Sequence, residues 1–285
     1  MRSISVILVA ALSCKSHEAP PPPSPSDLVV VSPGVLPQRL LHYQLAKGTK
    51  STLELEVEGT LTAGAIPPST APPLVFSLEI VVDDVTADGH MKLTTTIQEL
   101  TTHAAADQPG APAATTAAAA LKGLEITSLL APDGAITDVK IASDDRALSE
   151  AAKAQVEALV QAIPKLAMPL PSTPVGIGAK WRSSRALGPV SPLALQSVTT
   201  IDLTGVAGSS ITYEVGSTVH GADQKVTQDG VEVDVNSITG TATGRGTFDL
   251  QKLAITGTLK AELHMDMTTG SDRTPMTMTL ELRSH

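Results

Sequence analysis

From about residue 50 onward, apolar and polar residues alternate with a period of two. In "STLELEVEGTL", Leu53, Leu55, Val57 and Leu61 share one face, and Thr52, Glu54, Glu56, Glu58 and Thr60 share the other. Successive strand side chains point to opposite sides, so this pattern predicts an antiparallel strand with one buried and one solvated face. "LVFSLEIVVDDV" and "HMKLTTTIQEL" continue it on either side of Asp88-Gly89, a two-residue hairpin signal. "LKGLEITSLLAPDGAITDVKI" repeats the motif around Pro132-Asp133-Gly134. After "LPSTPVGIGAKW" the alternation resumes through "SITYEVGSTV", "VEVDVNSI", "GTFDL", "AITGTLKAELHMDM" and "PMTMTLELRS".

Three stretches break the alternation. "TAGAIPPSTAPP" (62–73) and "AAADQPGAPAATTAAAA" (104–120) have no core-facing pattern and read as surface loops. "ALSEAAKAQVEALVQAIPKLAM" instead places Leu148, Ala152, Val156, Leu159 and Ile163 on one helical face. It predicts an amphipathic helix of about four turns, ended near Pro164. Many strands with one central helix, and no fixed repeat, predict a single α+β domain over 39–285. Its core is a large, curved, mainly antiparallel sheet, an open barrel or half-barrel, with one covering helix.

The last hairpin permits a register. Opposing Thr269 to Thr274 places Met267 against Met276, Met265 against Met278 and Leu263 against Leu280, all on one face. Lys260, Glu262, His264, Asp266, Thr277, Thr279, Glu281 and Arg283 take the other. The four clustered methionines have three readings. Core packing is the first, because Met fills irregular gaps. Lining of an adaptable apolar cavity is the second. A soft-metal site is the third and weakest, since His264 points away and no Met or His repeat supports it. Trp181, the single Trp, reads first as a core anchor and second as a wall of that cavity.

The N-terminus follows another logic. Met1-Arg2 precedes an apolar run from Ile4 to Leu12, too short to span a bilayer and of signal-peptide length. It closes on Ala11-Leu12-Ser13-Cys14 and is followed by Lys15 and a proline run within 19–26. The pattern resembles the bacterial lipobox. The resemblance implies a signal peptide over 1–13, acylation of Cys14, and a lipid anchor in the cell envelope. Lys15, where Asp marks inner-membrane retention, implies the outer membrane. An ordinary secretory signal and a buried free thiol are the alternatives; the apolar run, small residues, Cys and prolines jointly favour lipidation. Residues 14–38 then form a tether, because polyproline II is solvated and semi-rigid.

Composition narrows function. There are 20 Lys and Arg against 29 Asp and Glu, and cleavage after Ser13 removes Arg2, leaving a net charge of −10. An acidic domain lacks the clustered cations that phosphate backbones require, so nucleic acid is not an expected partner. Aromatics are only 2% of residues, which disfavours stacking platforms for sugars or single strands. No Gly-x-Ser-x-Gly, His-Glu-x-x-His or phosphate loop occurs, so no enzyme, cofactor or metal is expected. "GTATGRG" reads as an edge or bulge where backbones approach closely. The pairs Asp83-Asp84 and Asp144-Asp145 lack further oxygen ligands for Ca²⁺.

Strands, one helix, Pro174, Gly178 and Trp181 in a P-x-x-x-G-x-x-W pattern, then "GTFDLQKLAITG", resemble a group of uncharacterised bacterial lipoproteins. In general plan these are similar to the Lol-type lipoprotein-carrier half-barrels. The resemblance implies a curved sheet whose concave side is apolar. The expected function is non-enzymatic binding of a lipid-like ligand on that face, near Trp181, Met265, Met267, Met276 and Met278. The alternative is a structural or assembly lipoprotein that works through protein contacts. An open apolar cavity favours the first; a filled core with an exposed apolar patch elsewhere favours the second.

Overall fold

The computed structural model describes residues 27–102, 119, 121–142, 153, 156–157, 160, 163–165, 167–187, 193–228, 231–253, 255–269 and 272–285. Cys14, the signal segment, most of the expected tether, nearly all of the 104–120 insert and the Asp144-Asp145 pair lie outside the described residues.

Thirteen strands form one antiparallel sheet: β1 (Asp27–Ser32), β2 (Lys50–Ala63), β3 (Ile66–Val85), β4 (Met91–Thr102), β5 (Glu125–Leu130), β6 (Ile136–Ile141), β7 (Lys180–Leu187), β8 (Leu195–Ala207), β9 (Ser210–Gly221), β10 (Gln224–Gln228), β11 (Val231–Asp249), β12 (Ile255–Thr269) and β13 (Asp272–Ser284). The spatial order is β1-β7-β8-β9-β11-β12-β13-β2-β3-β4-β5-β6, with β10 paired to β11. Among the described residues the sheet is open, with β1 and β6 at its two ends and short β10 paired only to β11.

Strands far apart in this order nevertheless share a core. Ile80, Val82, Met91, Leu93 and Leu130 from β3–β5 belong to one buried cluster with Trp181, Ile201, Leu203, Ile211 and Phe248 from β7–β11. Leu41, Tyr43, Leu45, Ala167 and Leu170 complete it. The sheet therefore curls round the 39–48 and 167–179 segments, which fill one end of the trough. The chain just before the first segment is tied to the second backbone to backbone: Val35 N donates to Ile177 O at 2.9 Å and Gly176 N to Pro33 O at 2.8 Å. No side chain fits there, because a Cβ on Gly176 would lie 1.9 Å from Val35 O. A second cluster joins Leu53, Leu78, Ile97 and Ile126 to Leu121, Leu124, Val156 and Ile163. A third gathers Leu193, Leu195, Val233, Val235 and Ile238 at the opposite end.

Several expectations need correction. β1 lies inside the segment read as a tether, pairing with β7 from Asp27↔Ser184 to Ser32↔Lys180. The folded body thus includes Asp27–Ser32 rather than starting at 39, because "LVVVS" supplies an apolar strand that pairs with β7. The 62–73 stretch is not a loop. Thr62 and Ala63 end β2, and residues from Ile66 on belong to β3, with Thr60↔Thr70 and Leu61↔Ser69 paired. Among the described residues β4 pairs with β3 only from Leu74 onward, so no described strand opposes Pro67 and Pro68 on that side, where a missing N–H forfeits no described ladder bond.

The Asp88-Gly89 and Asp133-Gly134 hairpins carry three-residue loops. Thr86 N donates to His90 O and Ala131 N to Ala135 O, both at 2.8 Å, and Gly89 and Gly134 hold φ near +84° and +88°. Nor is "GTATGRG" an edge, since this part of β11 is paired on both sides, to β9 and to β12.

The last hairpin closes at Thr269↔Asp272, two residues tighter than expected. Met265 consequently faces Met276, Leu263 faces Met278 and Ala261 faces Leu280. A two-residue slip preserves which side each residue occupies, so the division into apolar and polar faces stands.

Most of the expected helix lies outside the described residues. Lys153, Val156, Glu157 and Val160 are helical, and Val156 is buried in the second cluster. Ile163–Lys165 forms one 3₁₀ turn.

Candidate functional site

Cross-strand partners share a face, so the registers map the inner surface row by row. One row runs Trp181, Ile201, Val215, Gly244, Leu259, Leu282, Val57. The next runs Ser183, Thr199, Ser217, Ala242, Ala261, Leu280, Gly59. A third runs Arg185, Ser197, Val219, Gly240, Leu263, Met278, Leu61. The face is apolar over β12, β13 and β2, floored by small residues in β11, and carries hydroxyls and one guanidinium over β7–β9.

Its coverage is uneven. Trp181 is fully buried, and its Nε1 donates to Pro169 O at 2.9 Å. It anchors the first cluster. Met265 and Met267 are half-buried against the third cluster instead. Trp181 and these methionines thus share a face but occupy separate clusters. Met276 is half-buried, while Met278 and Leu280 are each 36% exposed. Between the filled ends, the apolar face of β13 meets solvent.

A small, partly enclosed cavity of about 20 Å³ lies where the first and second clusters meet, lined by Leu53, Leu93, Thr95, Ser128, Ile163 and Ala167. That is room for one water, with the Thr95 and Ser128 hydroxyls as partners. A larger, shallow groove of about 390 Å³ lies on the outer face, bounded by Glu58, Thr60, Thr241, Thr243, Lys260, Glu262 and Glu281. Ion pairs centre on Glu281 at its rim. Lys260 meets Glu281 at 3.2 Å, Arg283 meets Glu281 at 2.9 Å and Glu56 at 3.2 Å. The Lys260 ammonium, then the Arg283 guanidinium, hold the Glu281 carboxyl below its usual range. These cations offset the carboxylate opposition of Glu281 and Glu58 across the ladder.

Inside the filled end, Tyr43 bonds to Met168 twice: its hydroxyl accepts from Met168 N at 3.1 Å and donates to Met168 O at 3.4 Å. Burial pushes its phenol well above the usual value, and burial also raises that of Tyr213.

Among the described residues, no group of three or more His, Cys, Asp or Glu converges on one point. His264 lies on the outer face, 3.2 Å from Glu262 and 3.0 Å from Thr277 Oγ1. No described helix is long and apolar enough to cross a membrane.

Sequence reasoning missed the polar end of the inner face. The signal was present in "KWRSSRAL", where Ser183 and Arg185 fall in phase with Trp181. An inward Ser or Arg was masked by the outward Ser184 and Arg182 beside it.

No protein-family model and no curated protein matches the chain. Among solved structures it is similar to DynF from the dynemicin biosynthesis pathway of Micromonospora chersina. That match has 9% identity and a TM-score of 0.22, covering 89% of this chain and 88% of the other. It is also similar to a loop-deletion form of OmpT, an outer membrane protein of Vibrio cholerae. There the identity is 10% and the TM-score 0.21, over 84% of this chain and all of the other.

Proposed function

We propose that this chain is a lipid-anchored envelope protein, more at home on the outer than the inner membrane, whose curved sheet binds a lipid-like ligand without performing catalysis. Cys14 is the acylation site, and the prolines before β1 form the arm. The binding surface is the open apolar face, with a helix over about 147–163 as its cover on one side. One observation carries the reading. Met278 and Leu280 lie on the apolar side of the sheet, flanked by Leu61, Leu263 and Ala261, and remain 36% exposed between buried clusters. Leaving such a face wet costs about 25 cal/mol for each Å² of apolar surface, and a hydrocarbon chain lying on it removes that cost.

Native mass spectrometry of the full chain, extracted from its own host in mild detergent, tests the reading. A co-purifying lipid mass that is lost in Met278→Lys supports it; protein that is clean in every preparation overturns it. Intact-mass analysis checks the anchor, with the acyl increments expected on Cys14 and absent from Cys14→Ala.

A second reading rests on a different surface. Val29, Val31, Val35, Leu36, Leu40 and Ile177 are 47% exposed or more, beside the free edge of β1. Together with the filled core round Trp181, they favour an assembly role through protein contacts. Chemical crosslinking that captures a partner at these residues, from protein devoid of lipid, would select it.

A further inference from the structure

Inner-face positions are apolar or small over β11, β12, β13 and β2. Over β7–β9 the same rows turn polar. Ser183, Arg185, Ser197, Thr199 and Ser217 all face inward.

Three of the hydroxyls hold one another. Ser197 Oγ lies 3.0 Å from Ser217 Oγ and 3.4 Å from Thr199 Oγ1, and Ser217 Oγ lies 2.5 Å from Thr199 Oγ1. The fourth, Ser183, is 2% exposed, and its Oγ has no partner. A buried unpaired hydroxyl is costly, and it is rare without a purpose. Arg185 stands directly across from Ser197 in the ladder and two positions from Ser183. Opposed side chains of this kind have Cβ atoms roughly 5 Å apart. Arg39, Arg273 and Arg283 each engage an acceptor, with Arg39 on a backbone carbonyl and the others on carboxylates. Half-buried Arg185 engages none among the described residues, and burial alone pulls its guanidinium downward. In a chain with nine more acidic than basic residues, a half-buried cation left unpaired calls for an anion from outside.

We infer that Arg185, with the hydroxyls of Ser183, Ser197 and Thr199, forms the head-group subsite for a single-chain anionic amphiphile. Its oxyanion is a carboxylate or phosphate monoester, and its acyl chain crosses the sheet to Met278 and Leu280. This rests on the proposed lipid-binding reading and names the chemistry of its ligand. The path between the two ends is built for such a chain. The row from Arg185 passes Val219, Gly240 and Leu263 to Met278, and the row beside it passes Ala242 and Ala261 to Leu280. Over Gly240 the space is taken by Leu263 Cδ1, 2.9 Å from where a Cβ would stand, so the low floor for a crossing chain is the row of Ala242 and Ala261. Five strand spacings of ~4.8 Å make the path roughly 24 Å long. The guanidinium supplies two parallel N–H donors to an oxyanion, and the hydroxyls, free to rotate, supply further ones.

Calorimetry on the full chain tests this with three probes: stearate, octadecanol and inorganic phosphate, the amphiphiles delivered from cyclodextrin and long enough to span the path. Stearate binds at least about tenfold more tightly than octadecanol, Arg185→Gln removes that preference and Arg185→Lys restores part of it. Inorganic phosphate alone does not bind, because it lacks the chain. Ser183→Ala raises the melting temperature, by removing an unpaired hydroxyl, and weakens stearate binding; a purely structural serine would not do both. Equal binding of stearate and octadecanol, unaffected by Arg185→Gln, overturns the head-group subsite and leaves the apolar-face reading intact. Failure of both amphiphiles to bind overturns the two together. Phosphate binding as tightly as stearate overturns the amphiphile in favour of a free anion.

Discussion

At the residue scale, the clearest commitments are the polar atoms that the core had to satisfy. Tyr43 is one of two tyrosines, and nothing in its local sequence marks it. In the fold it ties the 39–48 segment to the chain before β7 through both hydrogen bonds to Met168, with its ring 6.1 Å from that of Phe248. Tyr43→Phe leaves the ring packing and removes the hydroxyl, so it should cost about 1–2 kcal/mol at neutral pH. The pH dependence has a definite sign. Burial raises the folded-state phenol above its unfolded value near ~10, so the stabilisation is complete below that pH and falls as pH rises past it. Urea unfolding at pH 7 and in the alkaline range should show the wild type losing its advantage over Tyr43→Phe. A constant difference across that range would contradict this account. Trp181 was legible as a core anchor from its singularity; Arg185 was not, because alternation reports which side a residue takes and says nothing of what waits there.

At the element scale, most strand positions and their faces were readable, while β1, the start of β3 and the hairpin register were not. The β12–β13 hairpin shows why. Pairing sums that differ by two give identical face assignments, so a clean separation of apolar from polar could not distinguish Thr269↔Thr274 from Thr269↔Asp272. Prolines misled at 62–73 because their cost depends on whether a neighbouring strand is present, and among the described residues β4 pairs with β3 only from Leu74 onward. Glycines in β9 and β11 divide similarly by environment. A Cβ on Gly244 would meet Thr258 O at 2.5 Å, Leu259 Cδ1 at 3.0 Å and Val215 Cγ1 at 3.1 Å, while one on Gly216 meets nothing within 4 Å. Gly216 and its paired Thr243 sit on the outer face, one residue along from the inner-face pair of Val215 and Gly244. Gly244→Ala should therefore destabilise by roughly 1–3 kcal/mol, since a backbone oxygen cannot step aside. Gly216→Thr should be neutral or stabilising by a few tenths of a kcal/mol, because it adds strand propensity on an open face. Thermal melts of the two variants check this, and equal losses would show that β11 tolerates inner-face side chains after all.

At the scale of the whole molecule, what the sequence concealed is how a thirteen-stranded sheet disposes of its ends. Local alternation cannot report that β3–β5 and β7–β11 share one core, nor that the 39–48 and 167–179 segments fill the space between them. The same blindness blurred the junction between arm and body. The proline run made everything up to residue 38 look like tether, yet Leu28 and Val30 pack against the first cluster and Val30 pairs with Trp181. Two truncations separate the alternatives. Removing residues 1–26 takes only what precedes β1, so the melting temperature should match that of the full chain. Removing 1–38 also strips the partner strand from β7 and the backbone bonds from Gly176 and Ile177. Losing two partly buried aliphatic side chains and a strand's worth of ladder should cost several kcal/mol, a large fraction of a typical domain's ~5–15 kcal/mol. Calorimetric melts of both forms decide it. If they melt together, β1 is an appendage to the sheet and the body does begin where the prolines suggested. If the shorter form melts well below the longer, β1 belongs to the folded body, and β7 needs its partner strand for the sheet to hold.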